Sequence, residues 1–245
     1  LKHRWSARRL PACSTSKTVN VSSSEAVADD KHGLFDQQYA PRITRAERAF
    51  EGRVWNVDHE TFEYNGELLE RDYVNHTGAV AVLAIDENDR VLVIRQYRHP
   101  VRLRDWEIPA GLLDVAGESP PLGAQRELAE EADLEADSWS VLGDYNTSPG
   151  GSNESIRIYL ARDLHNVSQP HDRGEEEADI EVRWVALDDA VDAVLANTVS
   201  NSVFQVAVLR AYAAKAKGWA SLLPGDAPWS QLDWRNATQP KLTQD

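Results

Sequence analysis

Residues 111–134 read GLLDVAGESPPLGAQRELAEEADL, and the run Arg126-Glu127-Leu128-Ala129-Glu130-Glu131 inside them crowds three carboxylates into little more than one helical turn. Ser119-Pro120 marks the start of this helix, because a serine oxygen can cap free amides and proline fits a first turn; the helix is expected to run to about Ala132. Positions i, i+3 and i+4 share a helix face, so Glu127, Glu130 and Glu131 project together, with Cβ atoms roughly 5–6 Å apart. In open solvent their repulsion costs only about 0.2–0.5 kcal/mol per pair, but in a desolvated cleft it grows unless a cation or an arginine compensates. Mg²⁺ suits such a cluster because it takes oxygen ligands, uses few carboxylates and leaves other positions to water and phosphate. Taken alone, the same residues also read as a solvated charged face with Arg126 and Glu130 as an i,i+4 ion pair.

Working outward, Phe50 to Val74 reads as strands, with Asn65-Gly66 as a hairpin turn because both residues adopt positive φ readily. AVAVLAID, the turn ENDR and VLVIRQYR form a second strand pair, and Trp106 to Leu113 continues extended around Pro109. Further strands are expected at Ser140–Thr147, Ser155–Ala161 and Ile180–Ala186. Helices are expected at Leu187–Ala196, capped through Asp188, and at Val203–Ala216. Mixed strands with a few inserted helices indicate an α+β layered domain rather than a regular parallel sheet.

The chain has 245 residues and eight tryptophans, enough for one large domain or a domain with a small appendage. Its formal charge of -14 opposes nonspecific attraction to nucleic acid or anionic lipid, so neither is an expected partner, and a polyanionic substrate would need a bound cation. Cys13 is the only cysteine, which excludes an intrachain disulfide and suits a reducing, cytoplasmic setting. No apolar run approaches the roughly 18–20 residues of a membrane-spanning helix. The first 24 residues carry Lys2, Arg4, Arg8, Arg9 and Lys17 and no acid, and are read as a disordered basic extension, with a cleaved targeting segment as the alternative. The stretch from Leu223 to Asp245 reads either as a loose tail or as an arm anchored by Trp229 and Trp234.

The order Gly111, Glu118, then after seven residues Arg126-Glu127-Leu128, Glu130-Glu131 and Leu134 resembles the Nudix hydrolase box. In that box a glycine, five residues, a glutamate and seven residues precede R-E-U-x-E-E-x-G-U, where U is aliphatic. Here six residues separate Gly111 from Glu118, and Asp133 replaces the last glycine. The extra residue falls in the loop before the helix, where insertions are tolerated, and Asp reaches a left-handed helix end more easily than most residues. The resemblance to the ADP-ribose pyrophosphatase branch extends from about Arg42 to Ala213. It includes Pro109 to Asp114 and Ser148 to Glu154, with Pro149 sixteen residues beyond Asp133 as that branch has it.

The resemblance implies a Nudix α/β/α sandwich with an N-terminal antiparallel β-sheet subdomain. The expected organisation is a basic extension and lead-in at 1–40, a dimerisation sheet at 41–75, the hydrolase domain at 76–222 and a C-terminal tail at 223–245. It implies that the Ala110 main-chain oxygen, Glu127 and Glu131 hold Mg²⁺, or Mn²⁺ as a substitute, with Glu130 joining or supporting. Arg126 and Glu118 would orient these carboxylates, and the metal would neutralise the diphosphate and lower the pKa of the attacking water. A catalytic base is expected in HDRGEEEADI, residues 171–180, with Glu176 the best match and Glu175 and Glu177 its rivals. Arg71, Asp72 and Arg98 match positions that contact adenosine and phosphate, Ser148 and Glu154 match positions near the terminal ribose, and Trp55, or Val54 beside it, matches an adenine-packing position. The implied activity is Mg²⁺-dependent hydrolysis of ADP-ribose to AMP and ribose 5-phosphate by a cytoplasmic homodimer with exchanged N-terminal sheets. The alternatives are a hydrolase of another nucleoside diphosphate derivative, such as a nucleotide sugar, and a sensor that binds ADP-ribose without cleaving it.

Overall fold

Every residue of strand β4 (Ala79–Ala84) is buried, and its side chains alternate between two cores: Ala79, Ala81 and Leu83 face one, Val80, Val82 and Ala84 the other. A strand covered on both faces needs a continuous apolar run, and AVAVLA is one. The computed structural model describes residues 33–171, 174 and 179–242. By contacts the chain divides into two units, Leu1–Tyr39 and Ala40–Asp245. Residues 33–39 of the first are exposed and lie outside helix and strand; the second carries all the elements below.

The layers follow from β4. It lies in a five-stranded sheet of order β11-β8-β9-β4-β7, with β7 at Ala110–Leu112, β8 at Leu134–Asn146, β9 at Ser155–Asn166 and β11 at Leu223–Pro224. β4 and β9 are parallel, while the other pairs in this sheet are antiparallel. Helix α1 (Pro120–Ala132) covers one face through Ala124, Leu128 and Ala132. Helices α2 (Leu187–Leu195) and α3 (Ser202–Ala216) cover the other through Leu187, Ala190, Val194, Phe204, Ala207, Val208 and Ala211. This is the α/β/α sandwich that the resemblance implies. Each fully buried aliphatic side chain in it contributes roughly 1.5–3 kcal/mol.

Two smaller sheets flank the sandwich. Strands β1 (Ile43–Phe50), β2 (Asn56–Tyr64) and β3 (Glu67–Asn75) form an antiparallel meander, whose β2–β3 turn places Asn65 and Gly66 at φ 52° and 82°. The other sheet has the order β10-β5-β6, with β5 at Arg90–Arg98, β6 at Leu103–Glu107 and β10 at Glu181–Ala186. Pro109 lies where the chain leaves β6 for β7 and changes sheet, and its carbonyl accepts from the Val82 N–H at 2.8 Å.

Several local expectations are corrected. Ser119 stands at the α1 N-cap with an extended backbone, but its side chain makes no capping bond; prolines at 120 and 121 carry no N–H, so fewer donors need a cap. The α2 cap is Ala186 rather than Asp188, and Asp188 and Asp189 sit in the first turn, where their charge opposes the positive helix end. β8 begins at Leu134 instead of Ser140, and β9 runs on to Asn166, pairing as one long antiparallel ribbon. From Leu223 to Thr238 the C-terminal stretch is a docked arm: β11 pairs with β8, and helix α4 (Ser230–Thr238) is anchored by buried Trp229 and Leu232. Trp234, the second expected anchor, stays 37% exposed. Among the described residues, no helix is long and apolar enough to cross a membrane.

Candidate active site

Helix α1 buries Gly123, Ala124, Glu127, Leu128, Glu131 and Ala132 along one stripe, so Glu127 and Glu131 share the side of the helix that faces β7. The Ala110 N–H donates to Glu131 Oε2 at 2.9 Å. One residue on, the absence of a side chain at Gly111 makes room for the Glu127 carboxylate; a Cβ there would meet Glu127 Oε1 at 1.8 Å. Strand and helix thus hold two buried carboxylates against the main chain of Ala110 and Gly111. The cleft in front of them, about 320 Å³, is lined by Gln96, Arg98, Ala110, Gly111, Arg126, Glu127, Glu130 and Glu131, together with residues 112–115 in part.

Arg126 organises the acids. Its Nε and Nη2 donate to the two oxygens of Glu118 at 3.0 and 3.2 Å, and its Nη1 lies 2.6 Å from Glu127 Oε1 and 2.9 Å from Glu130 Oε2. The hydrogen bonds to Glu118, followed by the Glu127 charge, push the guanidinium pKa well above its ordinary value. Gly123 lets Glu118 come close, since a Cβ there would stand 3.0 Å from Glu118 Oε2. The extra residue before Glu118 is therefore absorbed in the loop, where Gly117 adopts φ 82°, and the forked Glu118–Arg126 contact is made. Asp133 caps α1 in the left-handed conformation at φ 55°, as a glycine would, and its side chain accepts from the His171 N–H at 2.9 Å.

Arg98 completes the cleft. Its Nε and Nη2 donate to Glu107 at 2.7 and 2.6 Å; those bonds, with the charges of Glu107 and Glu131, raise its pKa. Sequence reasoning missed Gln96, which alternation along β5 puts on the same face as Arg98, and it missed Glu107, an acid in the otherwise apolar context of Ile108-Pro109.

Hard carboxylate oxygens with a neighbouring main-chain oxygen are the donor set a divalent cation takes, and the cradle left by Gly111 keeps them close to the strand. The residues therefore fit such an ion. Among the described residues, no three His, Cys, Asp or Glu side chains stand in ligating geometry; Arg126 and the Ala110 N–H hold the oxygens instead.

Among the described residues, Trp55, Arg71, Asp72, Ser148 and Glu154 do not line this cleft. Trp55 stacks on His76, which pairs with Glu154. Asp72 pairs across the sheet with His59 at 2.9 Å, and exposed Arg71 donates to the Glu70 carbonyl. The Ser148 carbonyl accepts from the N–H groups of Gly151 and Ser152, making the turn that contains Pro149. Glu175, Glu176 and Glu177 lie outside the described residues, as does Cys13.

Comparison with known proteins bears on this geometry. The NUDIX domain family matches residues 75–205, which contain the cleft. An ADP-ribose pyrophosphatase of Mycobacterium tuberculosis is 44% identical over 164 residues, 67% of this chain and 78% of that protein. An ADP-ribose pyrophosphatase of Bacillus subtilis is 36% identical over 149 residues, 60% of this chain and 80% of that protein. A solved structure of an ADP compounds hydrolase has a TM-score of 0.62 at 22% identity, spanning 75% of this chain and 99% of that one, a likeness of fold. With the matched region covering more than half its length and the box carboxylates gathered at one cleft, this chain belongs to the Nudix family.

Proposed function

We propose that the chain hydrolyses ADP-ribose to AMP and ribose 5-phosphate with Mg²⁺, Mn²⁺ serving as a substitute, as a cytoplasmic homodimer. The observation that carries this reading is the seating of Glu127 and Glu131 against Gly111 and Ala110 at one cleft, with Arg98 beside them. Identity to two ADP-ribose pyrophosphatases supports the choice of substrate. Nudix hydrolases are generally dependent on divalent metal, and the oxygen donor set supports Mg²⁺ in particular.

In this reading Glu127, Glu131 and the Ala110 main-chain oxygen hold the ion, with Glu130 supporting it. The ion supplies charge neutralisation of the diphosphate and acidification of the attacking water. Arg126 keeps Glu127 and Glu130 in place, and Arg98, oriented by Glu107, offers its remaining donors to a phosphate oxygen. Water attacks one phosphorus, the bridging P–O bond breaks and the water proton passes to a base, for which Glu176 remains the candidate, with Glu175 and Glu177 as rivals. Trp55 packs the adenine, Arg71 and Asp72 contact the nucleotide, and Ser148 and Glu154 face the terminal ribose. Exposed Phe50 and Tyr64 on the N-terminal sheet, with exposed Val54 in its β1–β2 connection, support pairing with a second copy.

A panel of ADP-ribose and nucleotide sugars at matched concentration, with products identified, tests the reading. Release of AMP and ribose 5-phosphate, fastest from ADP-ribose, is the expected result. Faster cleavage of a nucleotide sugar moves the substrate assignment, and binding without AMP release replaces hydrolase by sensor. Light scattering is expected to give twice the chain mass; a monomer removes the dimer.

A further inference from the structure

His76 is buried in the turn between β3 and β4, and the reading above gives it no task. Its ring is fully engaged. The Gly78 N–H donates to Nδ1 at 3.0 Å, so Nδ1 carries the lone pair and the neutral ring bears its proton on Nε2. Nε2 lies 3.1 Å from Glu154 Oε1, within ion-pair distance. Burial holds the His76 pKa below the ordinary histidine value; Arg235 adds to this, while Glu154 opposes it. The ring face is engaged as well: the Trp55 indole stacks on it with centroids 4.2 Å and planes 17° apart, while Trp55 remains 38% exposed.

Three stretches of chain meet at this ring. Trp55 comes from the β1–β2 connection, His76 from the β3–β4 turn and Glu154 from the loop before β9. The loop is fastened from two sides: the His76 N–H donates to Asn153 Oδ1 at 2.7 Å, and Arg235 of α4 donates to the carbonyls of Asn153 and Thr77. Glu154 itself is gripped at both oxygens, Oε1 by His76 and Oε2 by Thr147 Oγ1. A carboxylate offers about four lone-pair directions, so this grip fixes its plane and still leaves acceptors for hydroxyl donors.

We propose that His76 is a positioning residue for ligand binding: its Nε2–H aims the Glu154 carboxylate at a ribose hydroxyl, and its ring backs the Trp55 indole on which a base stacks. The proposal rests on the Trp55 and Glu154 assignments made under the proposed function. The two tasks separate by substitution. His76→Phe keeps a ring under Trp55 and removes the donor, whereas His76→Gln keeps an N–H donor and removes the ring.

The test measures kcat and KM of both variants, and of Glu154→Gln, on ADP-ribose and on an analogue lacking the 2″-hydroxyl of the terminal ribose. His76→Phe is expected to raise KM for ADP-ribose about tenfold with kcat held within about threefold, and to lose most of that penalty on the analogue. His76→Gln is expected to restore discrimination between the two ligands while weakening both about equally. A merely structural role would lower the active fraction alike for both ligands and leave their ratio as in wild type; that result overturns the proposal. If Glu154→Gln discriminates and His76→Phe does not, His76 alone loses its role. If Glu154→Gln does not discriminate either, the ribose assignment falls and the proposal with it. Should the protein bind ADP-ribose without cleaving it, Kd values for the same two ligands carry the comparison. Absence of binding overturns both the proposal and the proposed function.

Discussion

A methyl group on Gly111 would stand 1.8 Å from Glu127 Oε1, so the α1 carboxylate occupies space that any larger residue at 111 would claim. Gly111→Ala is expected to displace the carboxylate rather than break the fold, because the clashing atoms are the end of a side chain. Turnover of ADP-ribose should fall about 100-fold, as misplacement by about 1 Å can do, with only a small change in thermal unfolding. Wild-type turnover in Gly111→Ala would show that Glu127 need not sit where it does.

Arg126 is the shared partner of Glu118, Glu127 and Glu130. Its replacement in Arg126→Gln leaves three acids without that counter-charge, so stability in metal-free, low-salt buffer should drop by about 1–3 kcal/mol. Added Mg²⁺ should then raise Tm by more than it does in wild type, because the ion takes over part of the neutralisation. Equal gains would separate Arg126 from the metal site.

Trp229 holds the C-terminal arm. It is buried, the Arg157 guanidinium lies 4.9 Å from its ring centroid, and Arg157 also donates to the carbonyls of Ala227 and Pro228. Trp229→Ala should cost about 3–5 kcal/mol in urea unfolding, whereas exposed Trp234→Ala should stay within about 0.5 kcal/mol of wild type. Similar losses in the two would mean that α4 is docked differently.

His76 gives the fold a pH dependence whose sign follows from its lowered pKa. The unfolded chain takes up a proton near the ordinary histidine pKa of about 6.5, while the folded ring resists it until lower pH. Its contribution is fully present above about 6.5 and is lost as pH falls from there through the folded value. The groups that bear on the ring are Glu154, which favours the proton, and Arg235, which opposes it. Wild type should therefore lose stability between pH 7 and pH 5 more steeply than His76→Phe, in urea midpoints measured across that range. Parallel profiles would mean that His76 does not bind its proton differently on folding.

What was legible in the chain was whatever depends on short-range pattern. AVAVLA reads as a strand buried on one or both faces, Asn65-Gly66 is a strong hairpin turn signal, and the spacing of Glu127 and Glu131 puts them on one helix face; all three stand in the fold. The box departures were readable too, but not their consequence. That Asp133 adopts the left-handed cap and that the extra loop residue leaves Glu118 on Arg126 depend on contacts made in three dimensions. The first half of β8, LEADSW, looks polar because it carries Glu135, Asp137 and Ser138, yet it pairs with the end of β9. α4 has the poor helix formers Ser, Asn and Thr and is held by Trp229 and Leu232, a tertiary cause that local propensity does not reveal. His76 and Arg235 escaped notice for the same reason: Arg235 reaches Thr77, 158 positions away.

The most direct test of the central claim is hydrolysis of ADP-ribose by wild type, Glu127→Gln and Glu131→Gln across a Mg²⁺ titration, with AMP and ribose 5-phosphate quantified. Metal-dependent release of the two products in equal amounts by wild type, reduced at least about 100-fold in each variant, is the expected result. Full activity in both variants, or full activity of wild type without divalent metal, would contradict it.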